Sequence, residues 1–175
     1  TSLGWTKYLS LNTTDSVSTV SNIWQDTTPT SSVFSIGASG KVNGSSNGMV
    51  VYAFADVKGF SKFGSYVGNG STDGTFVYTG FKPSWLMVKR SSTSGTDWYM
   101  FDNKRNTFNV TNSYLDANTG DAEVSNISFD FTSNGFKLRD SQTIVNGSGS
   151  TFIYMAFAEN PLVANTSGGI PTTAR

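Results

Sequence analysis

Residues 59–105 carry the most regular pattern in this 175-residue chain: GFSKFGSYVGNGSTDGTFVYTGFKPSWLMVKRSSTSGTDWYMFDNKR. Three short apolar runs lie within it, at 76–78 (FVY), 85–88 (WLMV) and 98–101 (WYMF). Gly, Pro, Ser and Asp separate these runs from one another. Short aromatic runs with such regular punctuation are typical of strands in a β-sandwich or barrel.

Similar runs flank this stretch on both sides. Alternating apolar and polar residues predict half-buried strands at 33–36 (VFSI), 127–131 (ISFDF) and 136–139 (FKLR). Residues 49–55 (MVVYAFA) and 152–158 (FIYMAFA) are apolar on both faces, which predicts two central, fully buried strands.

The remaining segments give weaker signals. Residues 8–11 (YLSL) indicate a short strand, and residues 108–115 indicate a long loop or an irregular edge. Asn-Gly pairs at 43–44, 134–135 and 146–147 favour tight hairpin turns. Together these patterns predict an all-β antiparallel sandwich of about ten to fourteen strands with almost no helix.

The amino-acid composition excludes several classes of partner and site but identifies no function. Charged residues make up 14% of the chain, against a usual value of about 25%, and the formal net charge is zero. Nothing therefore points to nucleic acid or an anionic membrane as a partner. The chain has no Cys and no His, which rules out disulfides, Cys-based zinc sites and an imidazole base. The apolar run at 152–158 is too short to span a bilayer.

An internal repeat organises the chain. The triplet at 43–45 (NGS) recurs at 146–148, and AFAD at 53–56 recurs as AFAE at 156–159. Upstream, FSI at 34–36 corresponds to FKL at 136–138 with one residue of slippage. Residues 58–163 are therefore interpreted as one complete repeat, residues 1–57 as the C-terminal half of an earlier one, and residues 164–175 as a polar tail. The alternative is chance similarity between two β-hairpins.

The half repeat predicts self-assembly. One open sheet buries a single face and leaves unpaired backbone groups at its edges. Something must cover it: an upstream segment, the 58–163 domain or a neighbouring chain. We therefore expect a homo-oligomer.

The carboxylates do not converge in the sequence. Asp97 and Asp102 flank one strand, and a spacing of five residues sends them to opposite faces. Glycoside hydrolysis needs two carboxyl groups about 5–10 Å apart on one site, so a non-enzyme is expected.

Residues 116–123 (DANTGDAE) place oxygen ligands such as Asp116 and Glu123 around a Gly turn, as in a calcium loop. The alternative is a solvated loop with Asx turns.

Two basic pairs and four tryptophans have more than one interpretation. Lys89-Arg90 and Lys104-Arg105 suit either an anionic polysaccharide or solvated strand ends. Trp24 lies between polar residues and is the better candidate for stacking on a sugar ring; Trp5 is another, whereas Trp85 and Trp98 suit a core. Gly68-x-Gly70 lacks the Lys and the helix of a phosphate loop.

Several stretches resemble one known family of domains. They are LGWTKYLSLN, TTPTSSVFSIG, VVYAFADVKGFSKFG, SKFGSYVGNGSTDGTFVYTGFKP, WYMFDNKR, SNGFKLR and the ending YMAFAENP with its short tail. Together they cover nearly the whole chain. They resemble a recurrent domain of unknown function in virion proteins of marine tailed bacteriophages.

The resemblance implies a jelly-roll or concanavalin-like β-sandwich at the C-terminal end of a tail-fibre-like or other appendage protein of the virion. It also implies association with other virion proteins, a trimer by analogy with phage fibres, and a host-surface glycan as candidate receptor. It implies no catalytic, cofactor-binding or metal-ligating residue, no cofactor, and no residue known to contact a receptor. A free carbohydrate-binding, lectin-like module is the alternative function.

Overall fold

A computed structural model describes residues 3–160. Within that part of the chain are ten strands and three helices of four residues each. The strands are β1 (Lys7–Tyr8), β2 (Ser18–Thr19), β3 (Ser61–Val67), β4 (Phe76–Tyr78), β5 (Pro83–Arg90), β6 (Tyr99–Asp102), β7 (Thr111–Asp116), β8 (Val124–Thr132), β9 (Gly135–Leu138) and β10 (Thr151–Ala158). The helices are α1 (Ser21–Trp24), α2 (Gly40–Asn43) and α3 (Thr143–Asn146).

Eight of the strands form one antiparallel sheet. Their order is β3-β10-β5-β6-β7-β8-β9-β4, while β1 and β2 pair separately. The sheet curls until it is nearly closed into a barrel. Its terminal strands, β3 and β4, are consecutive in the chain, and the Thr75 Oγ1 hydroxyl donates to the Val67 carbonyl, 2.9 Å away, where they meet. This confirms the predicted all-β antiparallel fold with almost no helix.

Alternation along the strands builds the core. In β5, Leu86 and Val88 are buried, whereas Trp85 and Met87 between them are only half-buried. The predicted strand at 127–131 is confirmed within β8, and its buried residues are Ile127, Phe129 and Phe131. The inward residues of all eight strands form one cluster, together with Phe81 and Val145 from the connecting segments. Period-two geometry thus separates the core from an outer face.

β10 is an interior strand, second in the order of the sheet, paired with the terminal strand β3 on one edge and with β5 on the other. Its inward residues Phe152, Tyr154 and Ala156 are buried. Close packing against β3 requires a glycine there, because a Cβ on Gly64 would lie 2.7 Å from Tyr154 Oη. The prediction of a central strand at 152–158 is confirmed, but its outer face is only half-buried.

The outer face of this part of the sheet carries an aromatic cluster. Phe54, Phe60, Phe63 and Trp85 each lie 5.7–6.0 Å from the Phe157 ring, centroid to centroid. We call these five residues the outer aromatic cluster. The prediction of a fully buried strand at 152–158 implies that Phe157 belongs to the core. This is wrong, because the alternation of β10 turns the Phe157 side chain to the outer face.

The predicted strands before residue 58 are mostly wrong. Residues 49–55 form no strand and are exposed instead of buried. Residues 33–36 form no strand either, and the strand predicted at 8–11 is limited to β1. An apolar run becomes a buried strand only when neighbouring strands offer their edges, and none of the described strands pairs with these runs.

Two turns and one loop also differ from expectation. The Asn-Gly pairs at 43–44 and 146–147 do not form hairpin turns. In each pair the Asn is the last residue of a short helix and the Gly follows it, with a φ of −70° at Gly44 and −56° at Gly147. The pair at 134–135 does lie in a hairpin, between β8 and β9. Part of the stretch 108–115 is not loop but β7, paired with β6 and β8.

The first 57 residues contact the sheet at the β5–β6 connection. The Val17 N–H donates to the Ser91 carbonyl at 3.0 Å, and the Gly95 N–H donates to the Thr14 carbonyl at 2.9 Å. The division at residues 57 and 58 stays a prediction, and the predicted tail at 164–175 lies outside the described residues.

Candidate interaction surface

Exposed apolar side chains concentrate in the first third of the chain. Among residues 3–160, ten of the sixteen large hydrophobic residues that are exposed precede residue 58, although this part is only about a third of that range. Among the described residues before 58, Ile23 is the only fully buried large apolar side chain. Large contiguous apolar surfaces on soluble domains mark sites of interaction, so this region is the candidate functional surface.

The most exposed stretch is residues 49–55, which we call the free segment. Tyr52 is 81% exposed, Val50 is 79% and both Val51 and Phe54 are 59%. The segment carries no charge. Such a run has the composition of a strand interior, and in water it exposes the surface that folding normally buries.

The free segment follows a turn that the chain uses twice. Asn43 N–H donates to the Ser39 carbonyl at 2.9 Å, and 103 residues later Asn146 N–H donates to the Gln142 carbonyl at 2.8 Å. The residues before each helix have nearly the same dihedrals, φ −65° and ψ 131° at Ser39 against φ −60° and ψ 136° at Gln142. After the first turn comes the free segment, and after the second comes β10. The two units, residues 39–56 and 142–159, therefore share local geometry as well as sequence.

A groove of about 480 Å³ lies beside the free segment. Trp5, Trp24 and Phe34 line it together with residues 51–55. Its polar groups are partly engaged already, because the Trp24 indole N–H donates to the Lys7 carbonyl at 3.0 Å and the Thr30 hydroxyl accepts from the Val33 N–H at 3.1 Å. The groove is thus an aromatic platform with hydroxyls at its rim.

The other two tryptophans lie on the outer face of the sheet. Trp85 belongs to the outer aromatic cluster, and the Trp98 indole N–H donates to the Ser10 carbonyl at 3.1 Å. Both are half-buried, so neither occupies the interior core that their alternating runs suggested.

Lys89 is fully buried, which neither sequence interpretation of the basic pairs anticipated. Its ammonium donates to the carbonyl and the hydroxyl of Thr96, and to the Thr14 carbonyl at 3.2 Å. Burial lowers the pKa of Lys89, and the nearby Asp97 and Asp15 partly oppose that effect. Lys89 therefore links Thr14 to the β5–β6 connection, and its ammonium is buried within the protein.

The second basic pair is held by neighbouring acids. Arg105 forms ion pairs with Asp102, at 2.7 Å, and with Glu123. Lys104 contributes its backbone N–H to the same Asp102 carboxylate, at 2.8 Å. The guanidinium of Arg105 thus links the end of β6 to Glu123.

Asp97 and Asp102, which flank β6, are both engaged by neighbouring side chains. The Asp97 carboxylate accepts from the Asn118 amide at 2.7 Å, while Asp102 faces Arg105. In the candidate calcium loop, burial raises the pKa of the Asp116 carboxyl, and the charges of Asp97 and Asp121 raise it further. Glu123 is held by Arg105. Within residues 3–160 no three acidic side chains come together as a metal site would need.

No helix in the described part of the chain is long and apolar enough to cross a bilayer.

Comparison with known protein families gives a match over most of the chain. The family model described as "Domain of unknown function (DUF7483)" matches residues 1–161. The chain belongs to the DUF7483 family. No curated protein and no solved structure matches this DUF7483 chain. The free segment and the sheet both lie within the matched residues of the DUF7483 domain.

Sequence reasoning missed two features of this DUF7483 surface. The first is the exposure of the free segment, because its apolar pattern is that of a buried strand. The second is the burial of Lys89, which alternation correctly places on the outer face of β5. The sequence signal for Lys89 was its position directly after the apolar run at 85–88. A lysine at such a position becomes buried when another segment of the chain covers the outer face of the strand.

Proposed function

We propose that this chain is a non-enzymatic structural protein of a bacteriophage virion, at the C-terminal end of a tail-fibre-like or other appendage protein. In this proposal it works in the extracellular particle, by assembling with copies of itself and with other virion proteins. The observation that carries the proposal is the exposed apolar surface before residue 58. The phage setting comes from the resemblance to marine phage virion domains.

The exposed surface supports an assembly role. An isolated small domain usually keeps charge on its surface for solubility, whereas this chain has zero net charge and few charged residues. The free segment would be covered in an assembly, and covering it removes apolar surface from water. A homo-oligomer is the simplest assembly that repeated chains form, and a trimer is proposed by analogy with phage fibres.

The way the charged groups are used supports a structural role. Asp130 pairs with Arg139, and Glu159 pairs with Lys82 at 2.7 Å. The Glu159 carboxyl has a lowered pKa because of the hydrogen bond and charge of Lys82. These acids stabilise the sheet instead of meeting at one reaction centre.

The test is to locate the chain in purified phage particles. Quantitative mass spectrometry of particles from the source phage is expected to find it at a fixed copy number relative to the major capsid protein. Its absence from purified particles would refute the virion role, and turnover of a host polysaccharide by the chain would refute the non-enzymatic role.

A free lectin-like module is the second candidate function, favoured by the groove at Trp5 and Trp24. Aromatic faces with hydroxyls at the rim suit a sugar ring, and a host-surface glycan would be the ligand. A glycan array with the purified chain separates the candidates. Binding that is lost in Trp24→Ala, by a chain absent from particles, would support the lectin; the same binding by a particle-borne chain would support a receptor-binding appendage.

A further inference from the structure

The described sheet has an open edge along β3. Ser61 exchanges both of its backbone hydrogen bonds with Val57, at 2.9 and 3.1 Å, on the side away from β10. Because hydrogen-bonding direction alternates along an antiparallel strand, the backbone groups of Phe63, Ser65 and Val67 also face away from β10. This edge of β3 is therefore available to another strand.

Part of this edge is already occupied by side chains. Asp56 Oδ1 accepts from the Phe63 N–H at 2.8 Å, and Thr75 Oγ1 donates to the Val67 carbonyl at 2.9 Å. Four groups then remain without a partner among the described residues: the Phe63 carbonyl, both backbone groups of Ser65 and the Val67 N–H. In an antiparallel ladder these four would be satisfied by a five-residue strand centred opposite Ser65.

An apolar groove runs beside the same edge. It has a volume of about 700 Å³, and Phe54, Phe63 and Met155 line it together with Ser65. Asp56 and Lys62 form a charged pair at its border. An apolar centre with a polar rim is the usual anatomy of an interface between proteins.

The chain itself contains a strand that suits this edge. The free segment is the counterpart of β10, which pairs with β3 along its whole length in antiparallel orientation. Residues Val50, Tyr52 and Phe54 of the free segment match Ile153, Met155 and Phe157, which β10 turns toward the outer face. The free segment thus carries the alternation of a strand known to pair with β3.

The free segment does not fill the edge of its own β3. Its last residue, Ala55, is fixed by its carbonyl, which accepts from Ser61 Oγ at 2.7 Å. The Asp56 carboxylate takes the Phe63 N–H and contacts Lys62, so the chain separates from β3 at this point. The same contacts leave the edge from Ser65 to Val67 open to another chain.

We propose that the free segment of one copy adds as an antiparallel strand to the open β3 edge of a second copy. Every copy has both a free segment and an open β3 edge. Each chain therefore gives one strand and receives one, and the assembly closes into a ring or a two-fold pair. This inference rests on the homo-oligomer of the proposed function and locates its interface. The free segment is then buried between copies, and the four open groups of β3 are satisfied.

The test is the mass of the 175-residue chain in solution, by sedimentation and light scattering over a range of concentrations. The wild-type chain is expected to form an oligomer. The double variant Val50→Lys/Tyr52→Lys is expected to weaken association roughly a hundredfold or more, because both lysines would enter the apolar groove. The matched control Phe108→Lys changes a side chain that is 85% exposed and lies outside both surfaces, and its oligomer is expected to persist.

A backbone substitution separates strand addition from simple hydrophobic contact. Ser65→Pro removes the N–H that faces away from β10 and is expected to abolish the oligomer, whereas Ser65→Ala keeps that N–H and the oligomer. Amide exchange supplies a second readout: the Ser65 and Val67 amides are expected to exchange slowly in the wild-type oligomer and quickly in Val50→Lys/Tyr52→Lys. Near-UV circular dichroism checks the fold of each variant, and the lysine pair carries the test if Ser65→Pro unfolds.

A wild-type monomer would overturn the inference, as would an oligomer that survives both the lysine pair and a folded Ser65→Pro, or fast exchange at Ser65 within the oligomer. An oligomer with the expected sensitivities supports it even if the chain is absent from phage particles, since that result refutes only the virion role. A monomeric chain found in particles would leave the virion role standing and refute this interface.

Discussion

The chain contains two versions of one unit, and they adopt different structures after their shared turn. Residues 39–56 and 142–159 begin with the same short helix, with matching cap dihedrals and matching hydrogen bonds. The second version continues as β10, which pairs with strands on both edges and has Phe152 fully buried. The first continues as the free segment, in which Tyr52 is 81% exposed.

The difference shows which part of a fold is local. The turn recurs because its few residues and their own backbone hydrogen bonds are sufficient to form it. The strand does not recur because a strand needs edges from other parts of the chain. β10 already occupies one edge of β3 and one edge of β5, and the Asp56 contact with the Phe63 N–H separates the first unit from the other edge of its own β3. Sequence pattern therefore specifies what a segment can become, and its partners determine what it becomes.

The largest expected difference between the two units lies at Phe152 and its counterpart Met49. Phe152 is fully buried and stacks on Tyr66 with ring centroids 5.0 Å apart. Phe152→Ala is expected to lower the free energy of unfolding by about 3–5 kcal/mol, measured by urea denaturation. Met49 is 44% exposed, so Met49→Ala in the monomeric state is expected to change it by less than about 0.5 kcal/mol. Equal effects at the two positions would contradict the comparison.

The next largest difference concerns the asparagines that end the two helices. The buried Asn146 amide donates to the Asn69 side chain and to the carbonyls of Ser71 and Asp140, at 2.8–2.9 Å. Asn146→Ala removes these hydrogen bonds and leaves a cavity in place of a fully buried side chain, so it is expected to cost about 2–3 kcal/mol. Asn43 is exposed, so Asn43→Ala serves as the control, with a change of less than about 0.5 kcal/mol. A small effect at Asn146 in urea denaturation would mean that the second turn is no better anchored than the first.

The two units meet at Phe54 and Phe157, which are counterparts in the repeat. Their rings are 6.0 Å apart in an edge-to-face arrangement within the outer aromatic cluster. Because Phe157 is half-buried, Phe157→Ala is expected to cost about 1–2 kcal/mol, less than a core phenylalanine. A double-mutant cycle with Phe54→Ala is expected to give a coupling of about 0.5–1 kcal/mol. Zero coupling would show that the free segment does not rest on β10 in solution.

The last prediction concerns the loss of stability at high pH, an effect that is absent below pH 10. Burial raises the pKa of Tyr99 to about 12 and raises the pKa of Tyr66 well above its usual value near 10. The unfolded chain therefore ionises first, so stability is complete below pH 10 and falls as the pH rises from about 10 to 12. Lys89 acts in the opposite sense, because its pKa is lowered and the folded state favours its neutral form.

Tyr66 links this effect to the repeat, since its hydroxyl donates to the Val145 carbonyl in the second turn at 2.7 Å. Tyr66→Phe is expected to lose less of its stability than the wild type between pH 8 and pH 11 in urea denaturation. The same loss in both proteins would mean that Tyr66 ionises in the folded state as easily as in the unfolded one.

Much of the sheet could be predicted from the sequence. The runs at 76–78 and 127–131 became β4 and part of β8 because their alternation matches a half-buried strand and neighbouring strands pair with them, β9 with β4, and β7 and β9 with β8. Alternation alone could not place Phe157, since the run at 152–158 is apolar on both faces and only the curvature of the sheet decides which face is the interior.

Less of the interaction surface could be predicted. Trp5 and Trp24 were recognised as surface candidates, and they do line an open groove. The free segment was interpreted as core because its sequence is apolar on both faces like that of β10, and no local pattern shows that it lacks a paired strand on either side. The open edge of β3 was equally hidden, because it depends on where the Asp56 and Thr75 side chains fall.

The place of β10 in the sheet sets the order in which the protein can be completed during synthesis. β10 is the last described strand to leave the ribosome, yet it holds β3 and β5 together. Until residues 151–158 emerge, the inner edges of both strands stay unsatisfied while the rest of the sheet is already made. During that interval the newly made chain exposes the strand edges of β3 and β5 that β10 later occupies. The free segment, synthesised about a hundred residues earlier, is already present and can compete with β10 for these edges.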